Sequence, residues 1–151
     1  MIKDSGDRRE FPTGAVRDMQ EGKGRCDLLP LMIVGGLLDA YSGGDYIILR
    51  MGRFMDDHNT DHLYRVLEVF ATHAFAGSKE TLILETAIHF EEGAKKYGEN
   101  NWQKGLPPSC YIDSAVRHYL KWRRGDTDER HDRAFCWNLM CCIWEVEYHE
   151  Q

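Results

Sequence analysis

From residue 60 to the C-terminus the chain carries an almost continuous helical periodicity cut into lengths by single glycines, and no other feature of the 151 residues limits the fold as tightly. In TDHLYRVLEVFATHAFA (60–76), Leu63, Val66, Leu67, Phe70 and Ala74 fall on one stripe, and Gly77 stops the pattern. Ser78 then precedes KETLILETAIHFEEGAKKY (79–97), which stops at Gly98, a natural C-cap. A third helix is expected over 109–124, ended by Gly125, and a fourth from 126 or 127 almost to the end. Upstream, 28–40 reads as a shorter helix broken around Gly35 and Gly36, while 41–57 is readable either as a helical turn or as a short strand. No segment alternates convincingly as a strand. The expectation is therefore all-α: a helical bundle over 28–151 behind an irregular N-terminal arm over 1–27. One domain is expected, because 151 residues suffice for one core and crowd two.

Composition removes several classes of function. A hydrophobic share of 42% belongs to a folding chain, and a net charge of −6 argues against a grip on long nucleic acid, which requires a lysine and arginine surplus. A nucleotide-sized ligand needs only a few local cations. MIKDSGDRRE lacks the apolar stretch of a signal peptide, and LLPLMIVGGLL is too short to span a bilayer, so the expectation is a cytoplasmic protein without membrane contact. The five cysteines form no C-x-x-C pair, which fits reduced core thiols better than a zinc site.

Helical phase indicates where chemistry could sit. At about 100° per residue, the 79–97 helix has an apolar face of Ile83, Leu84, Ala87, Phe90, Ala94 and Tyr97, with Glu91 at its edge. Glu85, His89, Glu92 and Lys96 line the opposite side, where a solvated face is the plain expectation and a metal constellation the alternative. In the last helix His131, Asn138 and Glu145 recur every seven residues among Ala134, Phe135, Cys141 and Cys142, a polar line on an apolar helix that needs partners. Asp126, Asp128 and Glu129 precede it, where the helix dipole alone favours acids. Asp113 and Arg117 are spaced to pair. His118 shares a face with Tyr111, Ala115 and Trp122, and points inward either as a core histidine or toward a site.

Four blocks carry a resemblance: DSGDRREFPTGAVRD, GKGRCDLLP, HFEEGAKKYGENNWQKGLP and DSAVRHYLKWRRGDTDERHDRAFCWN. Together they resemble the phage and bacterial dATP/dGTP diphosphohydrolase family, which is similar to the all-α MazG-like nucleotide pyrophosphohydrolases and includes the MazZ enzymes. The resemblance implies cleavage of a purine deoxynucleoside triphosphate between its α and β phosphates, releasing the monophosphate and pyrophosphate. It further implies Mg²⁺, with Mn²⁺ as a substitute, held by inward carboxylates. Carried across, the motif E-x-G-A-x-K-Y-G falls on Glu91 to Gly98, N-W-x-x-G on Asn101, Trp102 and Gly105, D-S-x-x-R-H on Asp113 to His118, and H-x-x-A-x-x-W-N on His131 to Asn138. The implied metal ligands are Glu91 and Asp113, then Asp128 and Glu92. With Glu91 as a catalytic carboxylate, His118, His131 and Asn138 are the implied groups for orienting water or substrate. Arg25, Lys96 and Arg117 are implied phosphate contacts, and Trp102 either stacks on a base or anchors its loop. A homo-oligomer completing the bundle is also implied.

The chain departs from the MazG-like pattern in two ways. Glu91-Glu92 is followed by Lys95 where a third glutamate is usual, and no clean E-x-x-D follows. The stretch 35–80 is long and contains DDHNTDH, in which Asp56, Asp57, His58, Asp61 and His62 imitate a metal cluster but more simply make a solvated helix start. Two other readings stay open. An HD-type phosphohydrolase is imitated by His118 and His131-Asp132, but no later aspartate exists to complete it. A non-catalytic helical nucleotide-binding or interaction module would keep the bundle without turnover. The glycine-rich TGAVRDMQEGKGRCDLLP lacks Walker spacing. It is expected to lie as an irregular arm against the bundle, with Arg17, Lys23 and Arg25 near the phosphates and Asp27 fixing an arginine or the next helix's start.

Overall fold

The computed structural model describes residues 8–18 and 22–149; the parts of the arm at 1–7 and 19–21 lie outside the described residues. Six α-helices make up the bundle: α1 Leu31–Leu38, α2 Tyr46–Asp57, α3 Asp61–Ala74, α4 Lys79–Tyr97, α5 Pro108–Arg124 and α6 His131–Trp144. A π-helical turn, Glu145–His149, extends α6. The fold is all-α apart from one short antiparallel hairpin in the arm, β1 Arg8–Glu10 paired with β2 Val16–Asp18, in the register Arg9 opposite Arg17. Three-residue strands carry too little pattern to be read from sequence.

Packing centres on α5 against α6, with α4 laid on α6 and α2 and α3 closing the far side. Phe70 of α3 meets Tyr119 and Trp122 of α5 and Phe135 of α6 at ring separations of 6.2, 4.9 and 4.6 Å. Asp45 caps α2 by accepting from the Ile48 amide at 2.9 Å, and its other oxygen accepts from Tyr119 and Arg123 at 2.7 and 2.8 Å. The cap decides that 46–57 is helix, because it satisfies an orphan amide and ties that end to α5. Gly35 and Gly36 do not break α1; Gly35 instead lets α1 approach the Leu49 side chain closely. Helix α6 starts at His131, later than the expected 126 or 127, because 126–130 forms an acidic loop after Gly125 caps α5 at φ 88°. All five cysteines are free, and burial raises the thiol pKa values of Cys136 and Cys141, so both stay protonated.

One helix runs opposite to its expected phase. Leu82, Thr86 and His89 of α4 are buried, whereas Ile83, Leu84 and Ile88 are 56%, 69% and 37% exposed. The apolar residues of α4 outnumber the positions that face α6, so apolarity alone misassigns the inner side. Leu28, Met32, Ile33 and Leu37, around α1, are likewise exposed.

Gly105 sits at φ 110° with the His149 imidazole over it, where a Cβ would collide with the ring. Gly105→Ala is expected to lower stability by about 1–3 kcal/mol, the cost of a side chain in that backbone region. Urea unfolding of the two proteins checks it, and equal midpoints would contradict it.

Candidate functional site

The arm is bound to the bundle by side chains of the motif blocks. Asn101 pairs with the backbone of Val16 through both amide atoms, Oδ1 accepting at 3.1 Å and Nδ2 donating at 3.0 Å. Asp113 accepts from the amides of Cys26 and Asp27 at 2.5 and 3.4 Å and pairs with Arg117 at 2.8 Å. Arg117 in turn donates to the carbonyls of Lys23 and Gly24 at 3.4 and 2.6 Å. Arg17 enters the bundle from β2 and donates to Ser114 Oγ at 2.8 Å and Asn138 Oδ1 at 3.2 Å. Its guanidinium lies over the rings of Tyr111 and Trp137, with centroids at 5.5 and 5.8 Å. Burial pulls its pKa below the ordinary guanidinium range. A guanidinium stays charged regardless.

Between the arm, α4, α5 and the start of α6 lies a cleft of about 620 Å³. Its walls include Arg9, Arg17, Lys23, Arg117 and Lys121 against Asp18, Asp113 and Glu129, so cations prevail inside an acidic chain. Lys23 pairs with Asp18 at 2.9 Å. Three donors in these walls, Arg9 Nε, Arg17 Nη1 and Trp137 Nε1, are sealed from solvent and have no hydrogen-bond partner among the described residues. Each such orphan costs about 1–3 kcal/mol.

The buried polar line of α6 is fully partnered. His131 Nδ1 lies 2.9 Å from His118 Nδ1, and His131 Nε2 lies 2.7 Å from Asp128. Asn138 donates to the Ala134 carbonyl at 2.8 Å, and Glu145 accepts from the Leu106 amide at 2.8 Å and from His149 at 2.5 Å. Burial, and then the adjoining His131 ring, hold the His118 pKa well below the ordinary imidazole value, so the half-buried His118 is neutral at pH 7.

Of the residues singled out from sequence, Arg17, Lys23, Asp113, Arg117, His118 and Asn138 line the cleft, while His131 stands behind His118. The four carboxylates implied as metal ligands are not brought together. Glu91 points outward, its side chain 71% exposed and paired with Lys95 at 3.6 Å, because α4 is rotated from its expected phase. Glu92 is half-buried, and neither residue joins a metal-capable group among the described residues. Asp113 is committed to Arg117 and to the arm's amides, and Asp128 belongs with Asp126 and His131. A Mg²⁺ cage of these four does not fit the structure. Arg25 is exposed and paired with Asp27 at 2.8 Å, and Asp27 thus fixes an arginine, as expected. Lys96 is half-buried on α4 outside the cleft walls, and Trp102 packs against Phe90 and Trp144, anchoring its loop. In DDHNTDH, Asp57 pairs with His62 at 3.0 Å at the start of α3. Asp132 is held by Arg130 at 2.8 Å and joins no metal-capable group among the described residues, so the HD imitation is not assembled. Arg9 and Lys121 were missed; Ser114 and Trp137 stand out in the sequence only as motif positions, Glu129 only in the acidic cluster before the last helix, and His89 only on the side of α4 expected to be solvated.

The model of the dATP/dGTP diphosphohydrolase N-terminal family matches residues 71–151, just over half of the chain, and the chain belongs to that family. No curated protein and no solved structure matches it. The matched segment includes Asn101, Asp113, Ser114, Arg117 and Asn138, the residues that hold the arm. Among the described residues, no helix is long and apolar enough to cross a membrane.

His89 lines the cleft, 8% exposed and 5.5 Å from the Trp137 ring, and burial pushes its pKa down to about 4 from 6.5. The unfolded chain therefore takes up a proton below pH 6.5, while the folded one resists until about 4. Stability contributed by neutral His89 is full above pH 6.5 and is lost as pH falls toward 4, by up to about 3 kcal/mol. His118 adds a loss of the same sign. Urea titrations across this range are expected to show the decline, reduced by that amount in His89→Gln; an unchanged decline in the variant would refute it.

Proposed function

We propose that the chain hydrolyses purine deoxynucleoside triphosphates of the dATP and dGTP kind to the monophosphate and pyrophosphate, within cytoplasmic nucleotide metabolism of a bacterium or phage-infected cell. Arg17 is the observation that carries this reading. A half-buried cation in the cleft wall whose partners among the described residues are all neutral, with Nη1 sealed there and unbonded, favours an anionic ligand at that wall. The family membership supplies the substrate class.

In the proposed reaction the phosphate oxygens accept from Arg17, Arg9 and Lys121, and a water adds to the α phosphorus. The α–β bridging oxygen leaves with pyrophosphate. Donors fixed before the reaction in a sheltered cleft stabilise the charge that spreads over these oxygens, with little rearrangement at the moment of attack. His118 and Asn138, on the same walls, orient water and substrate. The triphosphate is taken as its Mg²⁺ or Mn²⁺ complex; such an ion draws on phosphate oxygens and water and needs few protein carboxylates.

Purified protein incubated with Mg²⁺ and a panel of nucleoside triphosphates is expected to release deoxynucleoside monophosphate and pyrophosphate. Nucleoside with triphosphate would favour the HD-type reading, and binding without turnover in Mg²⁺ or Mn²⁺ would favour a non-catalytic module. Arg17→Ala should lower kcat/KM by about 10- to 100-fold, the worth of charged hydrogen bonds. Arg17→Lys should not restore it, because one ammonium cannot reproduce the planar fork on Ser114, Asn138 and ligand. Wild-type kinetics in Arg17→Ala would sink the assignment.

The exposed apolar sides of α1 and α4 support the further proposal that copies of the chain associate. Leu37→Asp with Ile83→Asp is expected to lower the mass measured by light scattering to that of one chain, whereas an unchanged mass would argue against these faces.

A further inference from the structure

We infer that His118, Glu129 and His131 form a binding site for a divalent first-row transition ion of the Zn²⁺ kind, at the wall of the cleft. The inference does not rest on the hydrolysis reading, since it concerns the ion alone.

His118 Nδ1 lies 2.9 Å from His131 Nδ1 and 3.7 Å from Glu129 Oε1, and the three ligand atoms all fall within 4.8 Å of one another. Ligand atoms about 2.0–2.1 Å from a tetrahedral ion stand roughly 3.3 Å apart, between the two separations observed. The three come from two different helices and the loop between them, so the convergence is made by the packing of α5 on α6 and not by local sequence.

The tautomers suit a metal. Asp128 accepts from His131 Nε2 at 2.7 Å, which places the ring's proton there and leaves Nδ1 as a lone pair facing His118. That is the carboxylate–histidine arrangement that orients metal-bound imidazoles. His118 becomes the second nitrogen ligand by moving its proton to Nε2, so the ion enters without net proton release.

Glu129 completes the set. Its side chain is only 11% exposed, and its sole ion-pair neighbour among the described residues is the His118 ring, with no lysine or arginine beside it. A sheltered carboxylate aimed at two imidazoles lacks a cation in this arrangement. Asp126, by contrast, is occupied by Arg124, and the Asp128 side chain is 38% exposed, so the neighbouring acidic group is a poorer first choice.

Two nitrogens and one oxygen select a borderline ion over Mg²⁺, which prefers oxygen alone. Three protein ligands leave a fourth position for water or a ligand atom from the cleft, which His118 and Glu129 both line.

The test uses the full chain, stripped with chelator and titrated with Zn²⁺ by calorimetry and with Co²⁺ by visible absorption. One Zn²⁺ per chain is expected, undisturbed by a hundredfold excess of Mg²⁺, and Co²⁺ should give the d–d bands of a four-coordinate nitrogen–oxygen site. Glu129→Gln and His118→Gln, at partly accessible positions, should each weaken Zn²⁺ binding at least tenfold with circular dichroism unchanged. Asp128→Asn should weaken it about 10- to 100-fold. No binding at 0.1 mM Zn²⁺ overturns the site. So does binding that survives both glutamine variants, since the ion would then sit on cysteines or on other histidines. Neither outcome bears on whether triphosphates are hydrolysed, which the product analysis decides separately.

Discussion

The insertion of Arg17 into the bundle is the contact on which the candidate site depends. It crosses from β2 to α5 and α6, donating to Ser114 and Asn138 over the rings of Tyr111 and Trp137. Burying a charge among neutral partners is unfavourable unless the surrounding dipoles and rings compensate it. The hydroxyl, amide and aromatic faces supply that compensation in part, and the remaining Nη1 donor is sealed in the cleft wall without a hydrogen-bond partner among the described residues. Without the arm in place the cleft would lose one wall and its deepest cation.

The motif residues acquire a common physical role from this arrangement. Asn101, Asp113, Ser114, Arg117 and Asn138 all bond to the arm, through its amides and carbonyls or through Arg17. Asp113 shows why residue type and role separate: one oxygen accepts backbone amides and the other holds Arg117, a complete set of partners for a carboxylate at that depth. Side chains that look catalytic as an ordered set thus hold the arm that walls the cleft. The histidines of α5 and α6 and the Glu129 carboxylate form a second polar centre in the cleft wall, chemically distinct from the guanidinium centre.

The chain's acidity is no obstacle to an anionic ligand. Glu91 is at the surface, while Arg9, Arg17, Lys23, Arg117 and Lys121 line the cleft against Asp18, Asp113 and Glu129. Local field in a confined cleft, and not net charge, governs a nucleotide-sized ligand. Net charge retains its meaning for long nucleic acid, which must be met over many phosphates.

The sequence by itself determined α3, α4 and α5 and their stops, because Gly77, Gly98 and Gly125 and the three-to-four-residue apolar spacing act over a single turn. It also determined that His131, Asn138 and Glu145 would need partners, since periodicity put them on an apolar helix. Only the tertiary structure decided which face of α4 is inner. There Leu82, Thr86 and His89 turned inward while Ile83 and Leu84 stayed outside and Glu91 went to solvent. It alone decided the partners as well: Arg17 with Asn138 across 121 positions, and His118 with His131 across a loop. Such pairings arise where helices cross and an arm docks, and no local rule of spacing encodes them.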